Sequence, residues 1–491
     1  MKLQDHLTLF ILPFTYDHTK FTCMAEDSIW EPSDIKMEST FLYPHVRKYL
    51  LPSQNGGETQ IYSLKDNLKQ TRHAHSKINV LFSRNLQMIS SKKNETDISF
   101  RLINQKSKLN SPKLIFFPLA SIGFLMFCVN LVDEKAQVSD LINLNYNLNK
   151  YNFSNNTRIK ILPIGSKEEE LKAIEACTQK IRSYQSLLTK KPLPNGDTWM
   201  FVNLIELFLE DIWEYKELNN SGRFHLFTYY QIDSPEEDQQ EILNDFTRIL
   251  RIQNYTYNPV ADDCEGNPLI KKTFDEIYIG SSVESGGIMI NRNNKNIPFF
   301  SNFMERTLLN RYLWIYILVL HQRVAHVKMV GDISEIVIEG KERERTFLLD
   351  LVSSLSKVLL KTSFSDISNF THINTYYAFL SKNLNINRYE VELKNKISEL
   401  ENIIKEKLGK EEKKRMRRFE IILAVLLVPQ ILFAFLSLLG DYYNVKTPYS
   451  LIVHYFSGKE VAGFFEILVL LCWTLLFILI WHILKEIIKK K

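Results

Sequence analysis

Met416, Leu423, Gln430 and Ser437 recur at intervals of seven residues, and Asp441 follows one turn after the last of them. Seven residues make two helical turns, so these side chains share one face of any helix that contains them. Around the axis of an assembly, Gln430 and Ser437 would offer amide and hydroxyl oxygens and Asp441 a ring of carboxylates. Met416 and Leu423 would form apolar constrictions, and the whole stripe would line a cation pathway. The same polar residues serve equally well as hydrogen-bond partners between packed helices. Pro429 adds a freed carbonyl one turn earlier that also needs a partner. The spacing leaves both readings open.

A second group has the chemistry to hold a phosphate. Gly280-Ser-Ser-Val-Glu-Ser-Gly-Gly287 follows a strand-like segment, and such a turn can aim backbone amides at an anion, with Ser281, Ser282 and Gly286 as its candidates. No Gly-Lys-Ser/Thr follows, so it is not a P-loop. Arg223 and Thr228 lie on a strand-like segment opened by Asn219-Asn-Ser-Gly222, and Lys150 and Arg158 bracket a loop. A flexible turn and solvated strand charges account for each of these residues as well.

Catalytic chemistry has little to stand on. His73-Ala-His75 could place two imidazoles on one strand face, but no acidic or cysteine partner is near in sequence. His321 and His326 are five apart and turn away from one another on an α-helix, unlike the i, i+4 pair of a zinc helix. There is no Gly-x-Ser-x-Gly elbow. The five cysteines are scattered without a Cys-x-x-Cys pair, which points to a reducing compartment and no thiolate metal site. No enzyme activity, catalytic residue or resident cofactor is expected.

The elements that must position these groups fall into three regions: an α/β sensing domain over 1–300, a helical stalk over 301–418, and a transmembrane hairpin with an outer loop and basic C-terminus over 419–491. In the first region Leu7–Tyr16, Ile98–Ile103, Phe224–Gln231 and Glu276–Gly280 have strand composition, while Lys167–Leu188, Asp197–Lys216 and Glu236–Ile252 have helical periodicity. Pro52–Glu58, Asn149–Thr157 and Lys190–Gly196 read as linkers. Leu114–Val132 is largely apolar over 19 residues but breaks at Leu119-Ala-Ser-Ile-Gly123, so two buried strands joined by a turn are expected, with a membrane span as the alternative.

Helical spacing takes over from Phe303, through Phe303–Met329 and Lys341–Lys361, and then from Ile373 or later as a stalk. Ile397, Leu400, Ile404 and Leu408 mark its apolar stripe, and Glu392/Lys396, Glu401/Lys405 and Glu406/Lys410 are i, i+4 pairs. The stalk leads into the apolar segment Ile421–Leu439, and Phe464–Trp481 is a second such segment. Each approaches the length needed to cross roughly 30 Å of hydrocarbon. Basic residues flank the hairpin outside both segments, at Lys410–Arg418 and Lys485–Lys491, which places both termini in the cytoplasm. Leu7–Phe14 lacks the features of a signal peptide. The net charge of +5 is modest and collects beside the apolar segments, which suits anionic lipid better than nucleic acid.

This arrangement resembles the CorA family of divalent-cation channels: a large N-terminal α/β domain, a long stalk helix running into a proline-containing apolar segment, a short loop, a second apolar segment and a lysine-rich end. The resemblance covers about Phe303–Lys491. It implies a homopentamer in the inner membrane of a bacterium, with the stripe from Met416 to Asp441 lining a pore. In that family Gly-Met-Asn at the outer end binds a hydrated divalent cation. Here Gly440 is followed by Asp441-Tyr442-Tyr443-Asn444, so magnesium selectivity does not carry over. Loss of that motif and an enlarged body are similar to the divergent CorA-like effectors of type III CRISPR systems. Pro112-Lys-Leu-Ile-Phe-Phe-Pro, Ile122-Gly-Phe-Leu, Gly222-Arg-Phe-His-Leu-Phe-Thr-Tyr and Leu320-His-Gln-Arg carry that similarity. It implies a nucleotide second messenger, in some members an S-adenosylmethionine–AMP conjugate (SAM-AMP), bound by the body to open or disrupt a membrane. Housekeeping magnesium transport and a non-conducting membrane-tethered scaffold are the alternatives.

Overall fold

The computed structural model describes residues 1–16, 30–33, 40–51, 58–64, 85–89, 97–102, 112–149, 158–162, 198–201, 205, 208–209, 216–217, 223–234, 239–259, 268–274, 276–293, 298–338, 345–442 and 474. The strands are β1 (Leu3–Thr15), β2 (Trp30–Pro32), β3 (Gln60–Leu64), β4 (Asn85–Ile89), β5 (Ile98–Arg101), β6 (Lys113–Phe117), β7 (Ile122–Leu131), β8 (Arg158–Leu162), β9 (Thr198–Met200), β10 (Lys216–Glu217), β11 (His225–Ile232), β12 (Ile270–Lys272), β13 (Ile277–Ser281) and β14 (Ser285–Asn291). The helices are α1 (Pro44–Leu50), α2 (Val138–Asn149), α3 (Gln239–Leu250), α4 (Pro298–Ser301), a π-helix (Met304–Tyr312), α5 (Leu313–Ile338), α6 (Arg345–Thr362), α7 (Thr371–Asn383) and α8 (Ile386–Tyr442).

The strands form one mixed sheet in the order β12-β13-β14-β11-β1-β7-β5-β4-β8-β9, with β6 also paired to β7 and β3 to β6. β1 lies between β7 and β11, antiparallel to both, and β11 runs parallel to β14. Because side chains alternate along a strand, an apolar run without alternation must be covered on both faces. β1 shows this directly. Phe10, Leu12 and Phe14 pack in a core with Leu226, Tyr230, Phe246 and Leu250, whereas Leu9 and Ile11, also buried, point to the opposite face. On that other face the ring of Tyr316 of α5 lies 5.0 Å from that of Phe227, and its hydroxyl donates to the Leu226 carbonyl at 3.2 Å. Every residue of α5 from Leu313 to Leu320 is buried, so this helix is apolar all round because it is enclosed.

The run 114–132 resolves as the expected strand pair. β6 and β7 are joined by a 3₁₀ turn over Pro118–Ala120 and by Ser121 in the left-handed conformation, φ 52°. The expected strands at 7–16, 98–103, 224–231 and 276–280 appear as β1, β5, β11 and β13, and the helix expected over 236–252 as α3. The helix expected at 197–216 is instead a strand at its start, β9, and ends in β10 at Lys216, while the helix expected at 167–188, the three linkers and the His73/His75 pair lie wholly or mostly outside the described residues. The helical region differs in one place, where Phe303–Met329 opens as a π-helix; the stalk, expected from Ile373 or later, begins at Ile386, because Asn385 at φ 57° separates α7 from α8. Asn tolerates that conformation better than most residues.

The transmembrane hairpin expected over 419–491 is not supported. Among the described residues no helix is long and apolar enough to cross a membrane. In α8 the charges continue through Arg418 and Glu420, directly before the apolar run. The second expected segment, 464–481, lies outside the described residues except for Thr474. The supported architecture is a mixed sheet followed by helices. It divides into two compact units, 1–343 with 350–397, and 344–349 with 398–491.

One close approach in the first unit can be tested. A methyl group at Gly286 would sit 2.5 Å from Cε2 of the buried Tyr316 ring, whereas at Gly331 in α5 it would meet nothing within 4 Å. Gly286→Ala is expected to lower unfolding stability by about 1–3 kcal/mol, and Gly331→Ala to raise it by about 0.4–1 kcal/mol. Denaturant titration of the two variants checks both signs.

Candidate functional site

Five of the residues proposed for phosphate come together and a sixth does not. Thr228 on β11 stands opposite Gly287 on β14, and Leu226 opposite Ser285. The Gly280–Gly287 segment is the β13–β14 hairpin, and its amides are already engaged. Ser282 Oγ accepts from the amides of Glu284 and Ser285, both at 3.1 Å, and donates to the Leu250 carbonyl at 2.6 Å. Ser285 Oγ also donates to that carbonyl. Helix ends leave their last carbonyls without intrahelical partners, so the two serines cap the end of α3. The Ser281 hydroxyl is buried within the same turn. Gly286 admits the Tyr316 ring. Thr228 is fully buried, and its hydroxyl accepts from Asn145 Nδ2 at 3.2 Å.

Arg223 is half-exposed and pairs with Glu284 at 2.9 Å. Arg158 opens β8, exposed, with β4, β5, β7 and β1 between its strand and β11. Lys150 lies outside the described residues. Met416, Leu423, Gln430, Ser437 and Asp441 all fall on α8, as their spacing requires. Met416, Leu423 and Gln430 are exposed, and the side chains of Ser437 and Asp441 are outside the described part.

The stripe also does not stand out from its surroundings on the helix. Phe419, Ile422, Leu426 and Ile431 are each about as exposed as Met416, at 57–66%. Consecutive residues of a helix point about 100° apart, so this apolar surface covers about half of the helix circumference and is broader than the stripe.

Sequence reasoning missed a buried polar row on α5. Tyr49 Oη lies 3.1 Å from His321 Nδ1, and the imidazole lies against the Phe117 ring at 4.0 Å. Gln322 Nε2 donates to the Thr362 carbonyl and to Tyr377 Oη at 3.1 Å, and Tyr377 Oη donates to the Phe364 carbonyl at 3.0 Å. His326 Nε2 is 3.5 Å from Thr362 Oγ1, while its Nδ1 has no partner among the described residues. Burial lowers His321 to about 3, with His326 adding to the shift. Burial lowers His326 to about 4 against the opposing effect of Glu390. Both imidazoles are therefore neutral near pH 7. They lean toward different elements, as their spacing of five predicts, and among the described residues no group of His, Cys, Asp and Glu could hold a metal ion.

A second missed feature is a groove of about 630 Å³ over α4 and the π-helix, lined by Phe299, Asn302, Arg306, Thr307, Asn310 and Arg311. Its π-helical start follows from the carbonyl ladder. The Leu313 amide bonds the Leu308 carbonyl, and Asn310 Nδ2 donates to the carbonyls of Glu305 at 2.9 Å and Arg306 at 3.4 Å. A side chain inserted into the ladder is a recognised cause of such a widened turn. The Arg311 guanidinium sits over the Phe41 ring, 5.8 Å from its centroid. Its charge reaches His372, which is held below its ordinary value first by partial burial and then by Arg311. With Arg306 and Arg311 as the charged side chains of its lining, the groove presents positive charge.

No protein-family model matches the chain, and no curated protein is matched by it.

The neutral histidines make stability depend on pH with a definite sign. A histidine near 6.5 when unfolded but near 4 in the fold binds its proton in the unfolded chain first, so its contribution is complete above about pH 6.5 and lost as pH falls toward 4. Replacing it removes up to about 1.4 kcal/mol of stability loss per pH unit in that window. His326→Leu is expected to flatten the pH dependence of unfolding between pH 6.5 and 4 by this amount. Urea titrations at pH 7, 6 and 5 on both proteins measure it.

Proposed function

We propose that the protein is a subunit of an oligomeric effector that permeabilises a lipid bilayer when its sheet-bearing unit binds a nucleotide messenger, with SAM-AMP as the first candidate and type III CRISPR defence as the setting. The observation that carries this reading is the exposed apolar surface of α8 from Met416 to Ile431, next to the basic run Lys413, Lys414, Arg415, Arg417 and Arg418. An apolar patch of that extent with a polar rim marks a protein or membrane contact. Lysines and arginines beside it favour an anionic lipid surface at roughly 1 kcal/mol each. The reading rests on this surface and not on membrane-crossing helices. Its CRISPR setting and its messenger come from the resemblance described above. The electropositive groove on the first unit supports an anionic ligand.

Burying one leucine side chain is worth about 1.5–3 kcal/mol. Leu423→Asp with Leu426→Asp is therefore expected to reduce binding of the full chain to phosphatidylglycerol liposomes by at least about tenfold and to abolish release of an entrapped dye. Wild-type protein should release dye with SAM-AMP and not without it. Bound wild-type protein that releases nothing with any messenger would leave a membrane-tethered scaffold, and constitutive magnesium flux would leave a transporter.

A further inference from the structure

We infer that the groove over α4 and the π-helix is a binding site for a nucleotide, with Arg306 and Arg311 on its phosphate and the Phe299 ring against its base. In an α-helix, residues five apart are separated by about 140° around the axis, so Arg306 and Arg311 would diverge. In a π-helix the hydrogen bond itself runs from residue i to i+5, which sets residues five apart on adjacent turns of one side. The Leu313 to Leu308 bond shows that register in this chain. The widened turn thus accounts for both arginines lining one groove.

The ligand class follows from the lining. Two guanidinium groups match the oxygens of a phosphate monoester in a way that lysine does not. Arg311 is steadied by its position over Phe41, and Arg306 is exposed at the groove. Asn302 and Thr307 supply neutral hydrogen-bonding groups for a sugar. Phe299 is 52% exposed although its ring packs edge-on against Phe300 and Phe303. It is a fixed aromatic face left open beside a positive site, which suits a stacked base. A volume of about 630 Å³ falls within the range of small-molecule and cofactor sites. The hairpin turn offers no comparable site, since the amides of Glu284 and Ser285 donate to Ser282 Oγ and the hydroxyls of Ser282 and Ser285 to the end of α3. The consequence of binding rests on the effector reading above; the binding itself does not.

Equilibrium binding of AMP, ribose 5-phosphate and adenosine to the full chain tests the assignment. AMP is expected to bind, and adenosine to bind at least tenfold more weakly. Arg306→Gln removes a charged hydrogen bond and should weaken AMP about 10- to 100-fold. Phe299→Ser should weaken AMP while leaving ribose 5-phosphate unchanged. Both positions are exposed, and matching thermal melts will show that the variants fold. AMP affinity unchanged in Arg306→Gln, adenosine bound as tightly as AMP, or no AMP bound at ~10 mM would each overturn the site. AMP binding that depends on Arg306, together with liposomes that never leak, keeps the site and removes the effector reading. Messenger-dependent leakage that Arg306→Gln leaves intact does the reverse.

Discussion

Covering both faces of the β7–β1–β11 strands is the constraint on which the first unit depends. β1 pairs along most of its length with both neighbours, and its side chains are apolar on either side, so neither face can meet water without losing a large part of the burial that stabilises the sheet. One face is closed by α2 and α3, the other by α5. A helix enclosed in this way cannot send polar side chains to solvent. His321, Gln322 and His326 therefore find internal partners or stay neutral, since an unpaired buried charge is among the costliest defects a fold can hold.

The same constraint decides what could be read in the sequence. Leu114–Val132 is a run that hydropathy alone assigns as readily to a membrane as to a core, and its turn residues settled it as two strands. β1, β5, β11 and β13 were legible for the same reason, because β-branched and aromatic content survives even where alternation is lost. The Gly280–Gly287 segment was recognised as special but given the wrong neighbour. Its glycines do permit close approach, and what approaches is Tyr316, Leu250, Phe246 and the Thr228 backbone. Glycine reports that something lies near and not what it is.

Other features had no signal in residue type or spacing. A π-helix differs from an α-helix by one residue per hydrogen bond, and a scan for 3.6-residue periodicity passes over it, so nothing in the spacing singled out Arg306 and Arg311. The seven-residue stripe on α8 shows the opposite limit of periodicity. Its members do share a helix, but Phe419, Ile422, Leu426 and Ile431 are as exposed as the stripe itself. Periodicity picks out a face only where the remaining faces are polar. The hairpin was inferred from apolar length alone, a property that describes what a segment tolerates and not where it lies.

A ligand can shift a conformational equilibrium only by binding its states unequally, and the groove supplies a concrete inequality. The π-helix continues directly into α5. Arg323 of α5 donates to the Val283 carbonyl at 3.0 Å and lies over the Tyr389 ring in the first turns of α8. Gln322 holds the end of α6 through the Thr362 carbonyl. In α geometry Arg306 and Arg311 would stand about 140° apart around the axis. A phosphate held by both arginines favours the π register for the same reason that it binds at all. The base of α8 is among the elements that α5 touches.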